Sequence, residues 1–277
     1  ETVIGISLVA IGTSLPELAV AIEAVRSESP DIAIGGVLGS NVANVMLVLG
    51  AASLLGAESQ TSEAVKRDSL AVVVATAFMT IFVFIGEVPM TGGIAMLVAL
   101  SGYYYYTYSK AIAGEDEYEF EESWLSEKIS VAIPACLIGG LMIWVGAELL
   151  VSGSKGIADT FGVSEAVIGL TIVALGTSLP ELAVTIVAGV RGQGGVAVGN
   201  ILGSNVMNIM GILGIASLIG KGIMVDDIFN RDILVVIVTS GFVVGVYLAG
   251  RDFSKLMGSL MILTYLSYMT YLSGIIG

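Results

Sequence analysis

The chain of 277 residues is strongly apolar, because hydrophobic residues make up 56% of it and charged residues only 13%. Soluble domains carry about 25% charged residues, so this composition excludes an ordinary soluble protein and predicts an all-α polytopic membrane protein. The net charge of −13 gives no reason to expect nucleic-acid binding, and the lack of His excludes His-dependent catalysis and His-ligated metal sites within the chain. The apolar runs are long and continuous rather than short and alternating, which disfavours a transmembrane barrel.

Nine apolar segments follow one another along the chain, each with about the length that a membrane-spanning helix needs. They lie at roughly residues 1–25, 31–57, 69–87, 90–112, 129–152, 163–190, 195–220, 232–250 and 255–277. The connections are short except at 58–68 and at an acidic stretch, 113–128. The single Cys136 lies in an apolar run, where a packed side chain is expected and no internal disulfide is available.

Residues 1–55 align with residues 165–219 without a gap, with 31 identities in 55 positions. This similarity indicates a duplication. Four predicted spans separate the first helices of the two copies, so the copies enter the membrane from opposite sides, as in the inverted repeats of secondary transporters. We therefore expect inverted five-helix repeats: a first repeat at 1–112 that lacks its first helix, a loop at 113–128 and a second repeat at 129–277. About one further helix is expected before Glu1, which would give ten.

The Lys and Arg residues of the predicted loops suggest an orientation. Seven of the 11 fall on one side and four on the other. This bias predicts a multi-pass protein of the cell membrane with the acidic loop 113–128 in the cytoplasm and the C-terminus outside. Nothing in the sequence indicates an obligate protein partner.

The stretch GTSLPEL occurs twice, at residues 12–18 and 176–182. Proline donates no backbone hydrogen bond and disfavours helix at the preceding residue. The helix is therefore expected to loosen near residues 12–15 and to begin again with Pro16 in its first turn, and Pro180 repeats the pattern. We expect the carbonyls from Ala10 to Ser14, and those from Ala174 to Ser178, to lose their helical partners and to face protein or a polar cavity.

Glu17 and Glu181 directly follow these prolines in mid-span. A carboxylate deep in a bilayer costs at least a few kcal/mol, and a bound cation removes that penalty. The alternative is a first-turn glutamate that only satisfies helix amides. Carboxylates, hydroxyls and carbonyls offer an all-oxygen shell, which suits Ca²⁺ best, with Na⁺ as a competitor.

A second repeated motif reads GSNVANV at 39–45 and GSNVMNI at 203–209. The Ser and the second Asn of each copy are four residues apart and share a helix face, whereas Asn41 and Asn205 are expected to point elsewhere. The glycines that open the motifs allow close helix approach. The alternative interpretation is ordinary interhelical packing.

GTSLPEL followed by GSN, twice and in inverted halves, resembles the sodium/calcium exchanger family of the calcium/cation antiporter superfamily, in its prokaryotic type. The resemblance implies ten helices, with the second and third of each half forming the site, and alternating access by sliding of the first and sixth helices. It implies transported Ca²⁺ and Na⁺ as bound ions, with no other cofactor. The residues that match the family's ion ligands are Glu17, Glu181, Thr13, Thr177, Ser14, Ser178, Ser40, Ser204, Asn44, Asn208, Ala10 and Ala174.

Two positions depart from the family or from the repeat. Some relatives carry Asp where this chain has Asn208, so the cluster holds only two formal negative charges and the exchange stoichiometry is left open. Gly36 stands opposite Asn200 of the second copy, a difference expected to affect packing alone. Glu23 has no acidic counterpart and is not expected in the site, whereas for Glu148 snorkelling and an entry path are both open.

Three other functions compete with Na⁺/Ca²⁺ antiport. An H⁺/Ca²⁺ antiporter is the nearest alternative, because a buried carboxyl group also binds protons. A cation channel is disfavoured, because pores usually have symmetry along the membrane normal. An intramembrane serine hydrolase built on Ser14 lacks a His and has no evident lysine base. The chain is therefore not expected to be an enzyme.

Overall fold

The computed structural model describes residues 10–56, 63–112 and 129–274. Almost all of them are helical. The first part of the chain contains α1 (Leu15–Arg26), α2 (Pro30–Ala43), α3 (Leu49–Leu55), α4 (Glu63–Ile85) and α5 (Met90–Ile112). The second part contains α6 (Ile129–Phe161), α7 (Glu165–Ile168), α8 (Ala174–Thr177), α9 (Leu179–Val190), α10 (Gly194–Val206), α11 (Leu213–Ile219), α12 (Phe229–Leu248) and α13 (Lys255–Gly274).

Three π-helical segments join helices into longer rods. They are π1 (Asn44–Val48) between α2 and α3, π2 (Gly169–Val173) between α7 and α8, and π3 (Met207–Ile212) between α10 and α11. The acidic loop 113–128, residues 1–9 and the side chain of Cys136 lie outside the described residues, so the predictions for them stay predictions.

The described part contains five helices long and apolar enough to cross a membrane, and a sixth crossing if the bent pair Glu165–Thr177 and Leu179–Val190 is one span. These findings agree with the predicted polytopic helical membrane protein. Helices α5 and α13 have 23 and 20 residues, but their many Tyr and Ser residues keep them out of this set. Helix α6 continues nine residues past the predicted boundary at 152, because no proline interrupts this stretch, and it ends before Gly162, whose φ is 66°.

Two rods form the centre of the bundle. The most apolar windows of Pro30–Leu55 and Gly194–Ile219 are 94% and 89% buried, as expected of helices that are apolar on all sides. Glycines allow close contact: a Cβ on Gly35 would lie 2.7 Å from the Ala166 carbonyl oxygen, and one on Gly169 would lie 2.9 Å from that of Ile32. Small residues thus bring α2 against α7 and π2, the usual way in which membrane helices pack closely.

Connections that should share one membrane face do meet in the structure. β1 (Glu87–Val88), which follows α4, pairs antiparallel with β2 (Ile223–Met224), which follows α11. Lys155 Nζ donates to the Ser27 carbonyl oxygen at 2.8 Å. One contact joins the segments after α4 and α11, and the other joins the last part of α6 to the loop after α1, as an alternating up-and-down course of the spans requires.

Candidate ion-binding site

Both motif helices break at a serine. Ser14 has φ −85° and ψ 4°, and Ser178 has φ −81° and ψ 3°, which lie in the sparsely populated bridge region. New helices begin directly afterwards, each with its proline in the first turn, and the second copy bends by 42° at the break. The predicted interruption and restart are confirmed in both copies.

The break is narrower than the sequence led us to expect. The carbonyl oxygen of Ala10 still accepts a hydrogen bond from Ser14 N at 3.2 Å, and that of Ser14 accepts one from Leu18 N at 3.1 Å. The prediction that all carbonyls from Ala10 to Ser14 lose their partners is therefore wrong. Proline removes only its own N–H, whose helical acceptor would be the carbonyl of Gly12, and the turns on either side of it remain closed.

The same correction applies to the second copy. The Ala174 carbonyl oxygen accepts from Ser178 N at 3.1 Å, and it also receives the Ser40 hydroxyl at 3.4 Å. The Ser178 carbonyl oxygen accepts from Leu182 N at 3.1 Å. Both copies therefore keep the same helical hydrogen bonds on either side of the break.

The two motif glutamates lie in one buried cluster, each in the first turn of its helix. Glu17 is 4% exposed and Glu181 is 0% exposed. Ser14 Oγ donates to Glu181 Oε1 at 3.3 Å, and Ser178 Oγ donates to Glu17 Oε1 at 3.5 Å. Each copy therefore supplies a hydroxyl to the other copy's carboxylate, and the two like charges repel one another. A reciprocal pair of this kind requires a local two-fold relation between the copies.

The serines of the GSN motifs complete this symmetry. Thr13 Oγ1 lies 3.5 Å from Ser204 Oγ, and Thr177 Oγ1 lies 3.4 Å from Ser40 Oγ. Ser204 Oγ also donates to Glu181 Oε1 at 3.4 Å. Each GSN serine therefore contacts the GTSLPEL segment of the opposite copy, and the structure brings the two motifs together as predicted.

The asparagines lie at the π-helical segments. Asn44 begins π1, and its Nδ2 donates to Asn205 Oδ1 at 3.1 Å. Asn208 lies within π3, is fully buried, and has no hydrogen-bond partner for either amide atom within the described part. π-bulges in helices frequently occur at functional sites, because the extra residue changes the direction of nearby side chains.

The cluster holds buried acceptor atoms that other described groups do not satisfy. They are Glu17 Oε2, Glu181 Oε2, Asn44 Oδ1 and Asn208 Oδ1. Buried polar groups are normally hydrogen-bonded, and an unpaired one costs about 1–3 kcal/mol, more when it is charged. No ion pair joins either glutamate to a described Lys or Arg. An all-oxygen set with two carboxylates is the donor chemistry that a hard cation such as Ca²⁺ or Na⁺ requires.

Ten of the sequence-predicted ligands are joined by hydrogen bonds of this cluster, Asn44 and Asn208 lie in π1 and π3, and all 12 are buried. They are Glu17, Glu181, Thr13, Thr177, Ser14, Ser178, Ser40, Ser204, Asn44, Asn208, Ala10 and Ala174. Asn41 Nδ2 donates to the Val37 carbonyl oxygen of its own helix at 2.8 Å, as expected of a side chain that points elsewhere. Asn205 was also expected to point elsewhere, but its Oδ1 accepts the hydrogen bond from Asn44 of the other copy.

The difference between Gly36 and Asn200, which was expected to affect packing alone, also changes the hydrogen bonds of the cluster. Thr13 Oγ1 donates to Asn200 Oδ1 at 3.4 Å, so Asn200 belongs to the cluster, whereas its counterpart Gly36 has no side chain. Beside Glu17 a small cavity is lined by Gly36 and Ala21, which correspond to Asn200 and Thr185 of the second copy. The signal was visible in the repeat alignment, where polar residues replace small apolar ones at two positions.

Two acidic residues of the spans lie outside the cluster. Glu23 accepts a hydrogen bond from Ser27 Oγ at 3.0 Å near the end of α1, as its lack of an acidic counterpart predicted. Glu148 is exposed on the outer helix α6. Neither contributes to the buried site.

Comparison with known proteins gives a consistent result. Residues 1–109 and 131–274 match the protein family described as sodium/calcium exchanger protein. The inner membrane protein YrbG of Escherichia coli (strain K12) is 34% identical over 251 residues, covering 86% of this chain and 75% of that protein. The sodium/calcium exchanger MaX1 of Methanosarcina acetivorans is 31% identical over an alignment of 256 residues that covers 79% of this chain and 73% of that protein. A structure of the sodium-calcium exchanger NCX_Mj soaked with 2.5 mM Na⁺ and 0.1 mM Ca²⁺ is 29% identical, with a TM-score of 0.71 over 97% of this chain and 85% of that one.

Proposed function

This chain belongs to the sodium/calcium exchanger family, a family of transporters, and on that premise we propose that it exchanges Na⁺ for Ca²⁺ at the Glu17–Glu181 cluster. The membership makes it a multi-pass membrane protein and a cation antiporter. The choice of Na⁺ as the driving ion, the single shared site and the alternating-access cycle are the parts that we propose.

The observation that carries the proposal is the reciprocal contact between the two halves. In each carboxylate, one oxygen accepts a hydrogen bond from a serine of the other copy, and the second oxygen has no hydrogen-bond partner among the described residues. One Ca²⁺ balances the two negative charges. Na⁺ ions bound to the same oxygens, and to the neighbouring hydroxyls and amides, balance them equally well. Ca²⁺ and Na⁺ therefore compete for the same site, which is the basic condition for exchange.

Charge balance also explains why transport of the two ions would be coupled. Without a cation, two carboxylates face each other in a poorly solvated interior. The conformational change that alternates access to the site is then unfavourable, because it must proceed with this buried charge uncompensated. Binding of either Ca²⁺ or Na⁺ removes this penalty and permits the switch between inward and outward access. The empty site resists the switch, so leak is suppressed.

The packing of α6 supports a sliding movement of this helix. Its most apolar window, Leu137–Phe161, is only 17% buried, in contrast to the central rods. It packs against α1, which carries Glu17, and also contacts α7 and π2, which lead into α8 and the second GTSLPEL segment. A helix with so small a buried surface moves at little packing cost. We propose that α6 slides along the rest of the bundle and opens the site to alternate sides.

The test is Ca²⁺ uptake by the full chain in sodium-loaded proteoliposomes at constant pH. We expect an outward Na⁺ gradient to drive uptake of ⁴⁵Ca²⁺, and Glu17→Gln or Glu181→Gln to abolish it. Glu23→Gln makes the same chemical change on α1 away from the cluster and should retain wild-type uptake. Normal uptake by either cluster variant would overturn the assignment of the site.

The same vesicles separate the proposed function from its alternatives. Uptake that follows a pH gradient and ignores the Na⁺ gradient would identify an H⁺/Ca²⁺ antiporter instead. Uptake that does not saturate and needs no counter-ion would identify a channel. Saturable uptake that depends on internal Na⁺ is the result expected here.

A further inference from the structure

The asparagines of the two GSN motifs form one contact between the copies where the two-fold relation of the site would allow two. Asn44 Nδ2 donates to Asn205 Oδ1 at 3.1 Å. The repeat-related hydrogen bond would run from Asn208 to Asn41, since both residues correspond at an offset of 164. Asn41 Nδ2 donates instead to the Val37 carbonyl oxygen at 2.8 Å, and neither amide atom of Asn208 has a partner among the described residues.

The backbone brings the segments of both pairs together, so distant helices do not explain this difference. π1 contacts α10, the helix of Asn205, and α9, the helix of Glu181. π3 contacts α2 and α1 in the same way. The two π-helical segments differ in where they begin, because π1 starts at Asn44 itself and π3 starts at Met207, one residue before Asn208. The two asparagines therefore hold unequal places on segments that are otherwise equivalent.

An asparagine amide ends in two different groups, and only one of them binds a cation. Its oxygen accepts hydrogen bonds and coordinates hard cations, whereas its NH₂ group only donates. Rotation by 180° about the last side-chain torsion exchanges the two groups, and this torsion has a broad, roughly two-fold preference. An asparagine that serves as a ligand therefore needs a neighbour that keeps its oxygen toward the ion.

Asn205 restrains Asn44 in this way. Because the Asn44 NH₂ group is bound by Asn205 Oδ1, Asn44 Oδ1 points away from that contact, and it has no hydrogen-bond partner in the described part of the chain. Both side chains are fully buried, so bulk water does not compete for the contact. Ser40, one helical turn before Asn44, lies 3.4 Å from Thr177 Oγ1. Asn44 thus lies on the face of its helix that meets the second GTSLPEL segment.

Asn205 itself has little to offer a cation directly. Its Oδ1 is occupied by Asn44, and its Nδ2, which has no hydrogen-bond partner among the described residues, is a donor. Any influence of Asn205 on ion binding therefore passes through the orientation of Asn44.

We propose that Asn205 is a positioning residue that holds the Asn44 amide with its oxygen toward bound Na⁺. This inference rests on the proposed function, in which Asn44 is one of the Na⁺ ligands. Asn208 has no such neighbour, so the halves supply one amide oriented in advance and one that the ion itself must orient. The two halves of the site are therefore unequal at the asparagines, although the repeat preserves all four of them.

The test is equilibrium binding of ⁴⁵Ca²⁺ to the purified full chain in detergent and its displacement by NaCl, with choline chloride keeping the ionic strength constant. Without the restraint, about half of the molecules or fewer present the Asn44 oxygen at any time. We therefore expect Asn205→Ala to raise the Na⁺ concentration for half-displacement about two- to fivefold. The affinity for ⁴⁵Ca²⁺ should change less than twofold, which also shows that the site is intact. Asn205→Leu removes the same acceptor without loss of volume and should behave alike.

A carboxylate at position 44 separates positioning from packing. In Asn44→Asp both terminal atoms are oxygens, so no orientation remains to be fixed, and adding Asn205→Ala should leave the half-displacing Na⁺ concentration unchanged. An equal shift in both backgrounds would overturn the proposal, because a packing role does not depend on residue 44. Asn41→Ala, the same change at the repeat-related position, is the matched control and should match the wild type.

The displacement assay also distinguishes failure of this inference from failure of the proposed function. A wild-type chain whose ⁴⁵Ca²⁺ is not displaced by Na⁺ would contradict Na⁺/Ca²⁺ competition itself. Normal displacement in the wild type and an unchanged Na⁺ concentration in both Asn205 variants would overturn the positioning role alone. A rise in Asn41→Ala as large as in Asn205→Ala would overturn it too, since the contact to Asn44 would then be irrelevant.

Discussion

Ser14 Oγ donates to Glu181 Oε1 at 3.3 Å, across a sequence separation of 167 residues. The repeat-related contact from Ser178 to Glu17 measures 3.5 Å. Two segments of the same sequence thus orient each other's carboxylates. The site exists only when the halves meet, so neither repeat contains it alone.

This reciprocity predicts that Ser14→Ala and Ser178→Ala have similar effects. Each removes a hydroxyl that orients one carboxylate and that also belongs to the proposed Na⁺ ligands. A hydrogen bond to a charged group contributes about 1.5–3 kcal/mol, so we expect the Ca²⁺ concentration for half-maximal uptake to rise at least about tenfold in either variant. Ser53→Ala is the control, since that hydroxyl donates to the Leu49 carbonyl oxygen of its own helix. A large effect in one site variant and none in the other would contradict the two-fold account.

The glycines of the central rods predict a graded response to alanine. A Cβ on Gly39 would lie 2.6 Å from Ala174 Cβ, one on Gly203 would lie 3.0 Å from Ala10 Cβ, and one on Gly36 would lie 3.4 Å from Val173. We therefore expect Gly39→Ala to lower the melting temperature in detergent most and Gly203→Ala less. Gly36→Ala should be close to neutral. The reverse order would mean that these close approaches do not set the packing.

Much of this arrangement follows from sequence, and the reason is the repeat. Thr13, Glu17, Ser40 and Asn44 each have an identical counterpart at an offset of 164, and duplicated polar residues in apolar spans point to a shared site. The sequence did not indicate where α-helix gives way to π-helix. The π segments arise from how the packed helices accommodate one extra residue, and no residue pattern marks them. Asn205 illustrates this point, since it accepts its hydrogen bond from Asn44, the first residue of π1.

The two site asparagines predict different effects on stability. Asn44 donates to Asn205, so Asn44→Ala leaves a buried amide without its partner and should lower the melting temperature. Asn208 has no hydrogen-bond partner among the described residues, so Asn208→Ala should leave the melting temperature within about 1 °C while reducing Na⁺-dependent uptake. The measurements are melting in detergent without added ions and ⁴⁵Ca²⁺ uptake in vesicles. Equal loss of stability in both variants would show that Asn208 is a packing residue.

A buried network away from the site also escaped the sequence analysis. Tyr103 OH donates to Asp68 at 3.0 Å, and Tyr268 OH donates to Asp232 at 2.9 Å. Asp68 and Asp232 correspond exactly in the repeat at an offset of 164, and each follows an arginine. In the four-tyrosine run at 103–106, Tyr103 and Tyr104 are half-buried, whereas Tyr105 and Tyr106 are exposed. The sequence feature that was overlooked is the repeated Arg-Asp pair. Its aspartate accepts a hydrogen bond from a tyrosine of the next helix, which joins α4 to α5 and α12 to α13.

This network predicts a contrast between two tyrosines of α13. Tyr268→Phe leaves an oxygen of the fully buried Asp232 without its donor, and we expect the melting temperature in detergent to fall by about 3–6 °C. Tyr265→Phe removes a buried hydroxyl that has no hydrogen-bond partner in the described part of the chain, and it should be neutral or slightly stabilising. A larger loss for Tyr265→Phe than for Tyr268→Phe would refute the assignment of the hydrogen bond.

The most direct test of the central claim is anomalous diffraction from crystals of the full chain soaked with Sr²⁺, a scatterer with the oxygen preference of Ca²⁺. The account predicts one strong anomalous peak between the carboxyl groups of Glu17 and Glu181, weakened when Na⁺ is added in excess. A cluster that stays without a peak while Sr²⁺ binds elsewhere in the protein, or a peak that Na⁺ leaves unchanged, would contradict it.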